Sequence, residues 1–126
     1  MPKRVPTLPG VEASSLPYSQ VVEANGFVFL AGQVGNTPGE RFAVTGGIEV
    51  ETRQMLDNVG RLLKAVGLDY ADVVKSTVYL RNFDDFEAMN AVYREYFPTE
   101  PPTRATVGVS ALARDFTIEI EVVAAR

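Results

Sequence analysis

The sequence has no cysteine and no histidine in its 126 residues. The lack of cysteine excludes disulfides, thiolate nucleophiles and cysteine-ligated zinc. The lack of histidine excludes serine–histidine triads, the HExxH zinc motif and paired-histidine acid–base chemistry. Any catalysis therefore has to use carboxylates, arginine, lysine, tyrosine, hydroxyl groups or the backbone.

Long apolar runs and long basic runs are absent as well. No stretch approaches the roughly 20 apolar residues that span a bilayer, and prolines interrupt the N-terminal MPKRVPTLPGVEASSLP, where a signal peptide needs an apolar core. These observations predict a cytoplasmic protein with no membrane partner. The formal net charge of −4 argues against a partner bound through its phosphates, so nucleic acid is not expected as a partner.

The length and composition predict one globular domain over residues 1–126. A hydrophobic content of 46% is enough to build a core. Residues 1–16 are rich in proline, serine and glycine and predict an irregular N-terminal arm. A domain of this size leaves much of its surface exposed, and association with other copies is a common remedy.

Strand and helix patterns follow the arm. YSQVVEA and FVFLAGQ flank an Asn-Gly pair and predict a β-hairpin, and RFAV in the next loop is a candidate short strand. IEVETRQMLDNVGRLLKAVGL has the apolar spacing of a helix and a cap candidate in Gly67. ADVVKSTVYL predicts a strand, NFDDFEAMNAVYREYF a helix capped by Asn82, and two strands close the chain. The order β-β-α-β-α-β-β predicts an α+β domain with a mostly antiparallel sheet and both helices on one face.

The first closing strand, TRATVGVS, contains one full charge, Arg104. Alternation puts Arg104 on one side with Thr106, and a more apolar set on the other. We expect the apolar set to meet the helices and Arg104 to project from the opposite face. Arg104 is then either a solvated surface residue or a fork that binds a carboxylate through two hydrogen bonds. The apolar set consists of Thr103, Ala105, Val107 and Val109.

The second closing strand, TIEIEVVAA, alternates two glutamates, Glu119 and Glu121, with isoleucines. A wet charged face explains this pattern. However, Val123 and Ala125 continue the same face, which is more typical of a subunit interface. A partly buried glutamate there could orient water or relay protons.

Three further residues are candidates whose roles the pattern leaves open. Asn90 shares the apolar stripe of the second helix, so it either ties down a loop or shapes a pocket. Tyr18 either fills the core or lies at a pocket mouth. Gly32 ends a strand, where a glycine lets a ligand approach the backbone.

Five segments together resemble the Rid family, the reactive intermediate deaminases or YjgF-type proteins. They are PYSQVVEANGFVFLAGQVG, ETRQMLDNVGRLLKAVGL, VVKSTVYLRNFDDFEAMNAVYREYF, PPTRATVGVSAL and IEIEVVA, over about residues 16–125. The resemblance implies a chorismate-mutase-like fold of the β-β-α-β-α-β type, assembled as a homotrimer with clefts between subunits. It also implies hydrolysis of 2-enamino and 2-imino acids, such as 2-aminoacrylate, to 2-keto acids and ammonia.

The resemblance assigns roles by position. Arg104 corresponds to the arginine that holds the substrate carboxylate, and Glu119 to the glutamate that positions the attacking water. Tyr18 and Asn90 correspond to residues in or near the cleft, and Gly32 lies on the strand that lines it. Thr106 occupies a position where relatives often have cysteine, and LPY and LARDF also depart from the family pattern. The implied chemistry requires no metal and no cofactor.

Three other functions stay open at the level of sequence. Relatives are often described as endoribonucleases that inhibit translation, although the acidic charge and missing histidines speak against this. The chain could instead be a trimer that binds small carboxylates without turnover, or a regulatory protein. The third alternative is a deaminase of larger enamines in a catabolic pathway, since the size of a cleft depends on loops from two subunits.

Overall fold

A computed structural model describes residues 2–126 of the chain. The regular elements follow the predicted order. Two short 3₁₀ turns are added: Tyr70–Asp72 before the third strand and Phe83–Asp85 before the second helix. RFAV forms no strand, so that prediction is wrong. The elements are β1 (Val21–Ala24), β2 (Phe27–Val34), α1 (Ile48–Ala65), β3 (Val73–Leu80), α2 (Phe86–Tyr96), β4 (Thr103–Gly108) and β5 (Ile118–Ala125).

Local sequence signals account for several boundaries. Asn25 and Gly26 have φ angles of 52° and 81°, the left-handed geometry of a two-residue hairpin between β1 and β2. Gly67 follows α1 with a φ of 78°, and the Asn82 side chain accepts a hydrogen bond from the amide of Asp84. Gly67 was predicted as the cap of α1, whereas Asn82, predicted to cap the second helix, caps the 3₁₀ turn Phe83–Asp85 that precedes it. Residues 2–20 form no helix or strand apart from a bridge between Arg4 and Glu23.

The five strands form one sheet in the order β1-β2-β5-β3-β4. All neighbouring strands are antiparallel except β3 and β4, which are parallel because α2 connects them as a crossover. The mixed α+β architecture with a mostly antiparallel sheet is therefore as predicted. Within residues 2–126 no helix is long and apolar enough to cross a membrane.

Both helices pack on one face of the sheet and enclose the core. Met55 and Leu56 of α1 and Met89 of α2 are fully buried against this covered face. The alternate residues of the central strands point into it, as expected for period-two alternation. The strand residues of the core are Val21, Val28, Leu30, Val73, Val78, Leu80, Ile118, Ile120, Val122 and Ala124.

No helix or strand of residues 2–126 covers the opposite face of the sheet. Phe27 and Phe29 of β2 are 45% and 43% exposed, and Val107 of β4 is 40% exposed. Val123 and Ala125 pair with Phe29 and Phe27 across β2 and β5, so they belong to the same face. We call this surface the uncovered face.

The predicted orientation of β4 is wrong. In the parallel pairing Arg104 lies beside Ser76 and Thr106 beside Val78, and both β3 residues are buried under the helices. Arg104 therefore lies on the covered face, and the apolar Val107 lies on the uncovered one. The rule that the apolar set meets the helices fails here because the uncovered face also has apolar residues, Phe27 and Phe29 among them.

Candidate functional site

Arg104 lies against two aromatic rings of α2. Its guanidinium carbon is 4.7 Å from the ring centre of Tyr93 and 5.7 Å from that of Phe86, both within the range of a cation–π contact. Its Nη1 donates to the Met89 sulfur at 3.9 Å. Residues 86, 89 and 93 share one side of a helix, so the helical period itself builds this aromatic platform.

The platform is anchored from below. The Tyr93 hydroxyl and the Ser76 hydroxyl form a buried hydrogen bond of 2.8 Å. Burial raises the pKa of Tyr93, and the Ser76 hydrogen bond and the Arg104 charge partly offset this. The ring is thus held neutral and fixed, which orients the guanidinium without satisfying its charge. Arg104 forms no ion pair with any residue of the described chain.

Arg104 and Asn90 line one cavity of about 250 Å³, which we call the Arg104 cavity. The Oδ1 atom of Asn90 is buried and accepts no hydrogen bond from residues 2–126, so the side chain does not tie down a loop through this atom. The Oγ1 atom of Thr106, two residues beyond Arg104 on the same face, is also buried without a partner. Such unpaired acceptors are rare in folded proteins and are suited to receive donors from a ligand. The lining residues are Asn90, Tyr93, Arg94, Phe97, Pro101, Pro102 and Arg104.

Glu119 lies half-buried on the uncovered face, opposite Tyr79 and Val34 on the neighbouring strands. Burial, and then the negative charge of Glu121, raise the pKa of Glu119. Its carboxylate rests against Gly32: a Cβ atom at that position would collide with Oε2 of Glu119. The pairing of β2 with β5 is irregular between Leu30 and Gln33, which is the bulge that contains Gly32.

Tyr79 and Glu121 form a pair beside Glu119 that the sequence analysis did not assign to the site. The Tyr79 hydroxyl donates a short hydrogen bond to the Glu121 carboxylate, and this bond is the main cause that raises the pKa of Tyr79. The signal was present, since Tyr79 alternates with buried residues in VVKSTVYL. The ring pair Phe86 and Tyr93 was likewise missed, although its helical spacing to Met89 is readable.

Tyr18 is 54% exposed, so it does not fill the core. It lines a second cavity of about 360 Å³ together with Gly32, and we call it the Tyr18 cavity. Arg41, Arg61 and Glu12 are among its other lining residues. Tyr18, Gly32 and Glu119 thus form one group, and Arg104, Asn90 and Thr106 form another.

One chain does not bring the two groups together. Arg104 and Glu119 lie on opposite faces of the sheet, and β3 separates their strands. Two strand spacings alone amount to about 10 Å. Among residues 2–126 there is also no group of three or more acidic side chains arranged to hold a metal ion.

The sequence profile of the family described as Endoribonuclease L-PSP matches residues 11–126. The chain therefore belongs to this family, which includes the YjgF and RidA proteins named in the resemblance.

Two relatives and one crystal structure place the chain within that family. A RutC family protein of Pyrococcus horikoshii is 46% identical over 86% of this chain and 86% of its own length. The human 2-iminobutanoate/2-iminopropanoate deaminase is 43% identical over 86% of this chain and 79% of its own length. The crystal structure of E. coli TdcF with bound serine has a TM-score of 0.84 and 32% identity, covering 92% of this chain and 93% of that one.

Proposed function

We propose that this protein is a deaminase that hydrolyses 2-imino and 2-enamino acids to 2-keto acids and ammonia without a cofactor. The observation that carries the proposal is the uncompensated guanidinium of Arg104, fixed on Phe86 and Tyr93 at a small cavity. A planar fork of this kind suits a carboxylate. The name of the human relative, 43% identical, supports the reaction class, and the serine bound to TdcF is a small carboxylate of the right kind.

The chemistry follows from positioning and one exchangeable proton. Arg104 holds the substrate carboxylate and fixes the orientation of the adjacent imine carbon. A water oxygen attacks that carbon while the Glu119 carboxylate accepts a water proton. The C=N electron pair goes to the protonated imine nitrogen, which gives a neutral carbinolamine. Glu119 passes its proton to that nitrogen, the C–N bond breaks and ammonia leaves with the bonding pair, and the hydroxyl proton returns to the Glu119 carboxylate as the keto group forms. An enamine first gains a proton at its terminal carbon to become the imine. The raised pKa of Glu119 favours such proton return.

We infer that the complete site draws on two copies of the chain. Arg104 and Glu119 lie on opposite faces in one copy, so a cleft that contains both needs Glu119 from a neighbour. The uncovered face exposes Phe27 and Phe29 and is suited to burial against other copies. A homotrimer of chorismate-mutase-like domains with three such clefts is the assembly that we propose.

The test is hydrolysis of 2-iminobutanoate that threonine dehydratase generates. The rate at which the imine disappears is measured with the protein and in buffer alone. Wild type should accelerate the decay, and Arg104→Ala should lower kcat/KM by about a hundredfold or more, since a charge-assisted pair is lost in the transition state. Arg104→Lys keeps the charge but lacks the planar fork, so it should restore only part of the lost kcat/KM. Lys64→Met, an exposed charge in the last turn of α1, is the matched control.

Other outcomes would identify other functions. A wild-type rate equal to buffer would reject the deaminase. Tight carboxylate binding that depends on Arg104, without hydrolysis, would instead indicate a binding protein. The family description names an endoribonuclease, and RNA cleavage by purified protein that survives Arg104→Ala would indicate that activity.

A further inference from the structure

The Arg104 cavity contains a second guanidinium group. Arg94 lies in the last turn of α2 and lines the same cavity of about 250 Å³ as Arg104 on β4. The two arginines therefore approach one small space from two different elements. The mechanism proposed above uses only Arg104 and leaves Arg94 without a role.

No acidic side chain balances these two charges. None of the seven residues that line the Arg104 cavity is aspartate or glutamate, and neither Arg94 nor Arg104 forms an ion pair anywhere in residues 2–126. The adjacent Glu95 does not neutralise Arg94, because it is engaged by Arg53 through two bonds of 2.8 and 3.2 Å. By contrast, the Tyr18 cavity has both arginines and glutamates on its wall.

The wall of this cavity also contains aromatic rings and prolines beside the polar Asn90. The rings of Tyr93 and Phe97 lie 4.6 Å apart, centre to centre, and Pro101 and Pro102 line the cavity with them. One substrate carboxylate occupies one guanidinium fork, so the second fork is suited to a second anionic group.

We propose that Arg94 binds a second carboxylate and makes the enzyme selective for 2-imino dicarboxylic acids, the imines of acidic amino acids. This inference rests on the proposed deaminase function, because Arg104 must hold the first carboxylate. Arg94 is then a specificity-determining residue: it contacts the distal end of the substrate, away from the imine carbon.

The experiment compares 2-iminoglutarate with 2-iminopropanoate, generated from L-glutamate and L-alanine by amino-acid oxidases. Wild type should have the higher kcat/KM for the dicarboxylic imine. Arg94→Met should lower that value roughly tenfold to a hundredfold, the range of a lost charge-assisted hydrogen-bonded pair. It should change the value for 2-iminopropanoate less than about twofold, because an exposed charge contributes little to the monocarboxylate.

Arg94→Lys should recover part of the loss, and Lys64→Met, which removes a charge from the last turn of α1, should change neither substrate. Calorimetric titration with 2-oxoglutarate and pyruvate gives a second readout: Arg94→Met should weaken binding of the first and leave the second unchanged. Equal losses for both imines, no loss for either, or no wild-type preference would overturn the proposal while leaving the deaminase intact. A wild type that hydrolyses neither imine would overturn the deaminase itself.

Discussion

The two faces of the sheet share the same five strands yet differ in what the chain provides for them. The covered face is complete: Ile118 and Ile120 are fully buried, and Arg104 at its margin has an aromatic platform. The uncovered face leaves Phe27 and Phe29 exposed at 45% and 43%, and burial raises the pKa of Glu119 there. The comparison indicates that folding of the single chain completes one face and leaves apolar side chains exposed on the other.

The largest effect should come from placing a charge on the uncovered face. Phe29→Asp should dissociate the assembly, because an unpaired charge cannot be buried at low cost, and deaminase activity should fall at least about a hundredfold. Sedimentation and circular dichroism would show smaller particles with retained secondary structure. Phe42→Asp, at a residue 58% exposed outside the sheet, is the control. A dissociated variant with full activity would mean that one chain holds the whole site.

Complementation should give the next largest effect. Arg104→Ala and Glu119→Gln chains should each be nearly inactive alone. Random mixed assemblies should recover about a quarter of wild-type activity, because that fraction of clefts combines an intact arginine from one copy with an intact glutamate from another. Activity after co-refolding is the measurement. If mixtures stay as inactive as the separate variants, the two residues do not act across copies.

Gly32→Ala should disturb Glu119 on the uncovered face and leave Arg104 unaffected. The added Cβ collides with the Glu119 carboxylate, so kcat should fall about tenfold, a magnitude typical of a misplaced acid–base group, with little change in KM. A double-mutant cycle with Glu119→Gln gives the control, since two changes that act through one carboxylate should not add. Additive losses would show that Gly32 acts by another route.

Substitutions at Tyr93 should have a smaller effect, on substrate binding by Arg104 at the covered face. Tyr93→Leu removes the ring under Arg104 and should raise KM by about threefold to tenfold, as expected for a cation–π contact, while kcat changes less. Tyr93→Phe keeps the ring and should leave KM unchanged, but it loses the hydrogen bond to Ser76 and about 1 kcal/mol of stability. Equal KM values for Tyr93→Leu and Tyr93→Phe would show that the Tyr93 ring does not support substrate binding by Arg104.

The smallest effect is a shift in pH dependence. The negative charge of Glu121 is the second cause that raises the pKa of Glu119, so Glu121→Gln should lower that pKa. The ionised base then persists to lower pH, and the acidic limb of the kcat/KM profile should move downward. Burial is the larger cause and remains, so the shift is partial. If the acidic limb moves to higher pH or does not move, the charge of Glu121 does not raise the pKa of Glu119.

Local signals in the sequence were sufficient for much of the fold. The Asn25–Gly26 hairpin, the end of α1 at Gly67 and the cap at Asn82 depend on backbone preferences of single residues, which neighbours cannot easily override. The apolar spacing of α1 and α2 predicted their buried faces, because the helical period of 3.6 residues puts these side chains on one side of the helix. The RFAV strand failed because a short apolar run without a pairing partner does not specify a strand.

The order of the elements, the chemistry left open by the missing cysteine and histidine, and the candidate residues Arg104 and Glu119 could all be read from the sequence. Alternation divides a strand into two sets, but it does not say which set the helices will cover. The contact of Arg104 with Tyr93, and the cavity that Arg104 shares with Arg94, required the folded chain, because both depend on the parallel register of β4 with β3. The register that pairs Glu119 with Tyr79 likewise puts Glu119 on the other face, and the strand order puts β3 between two strands that are adjacent in the sequence.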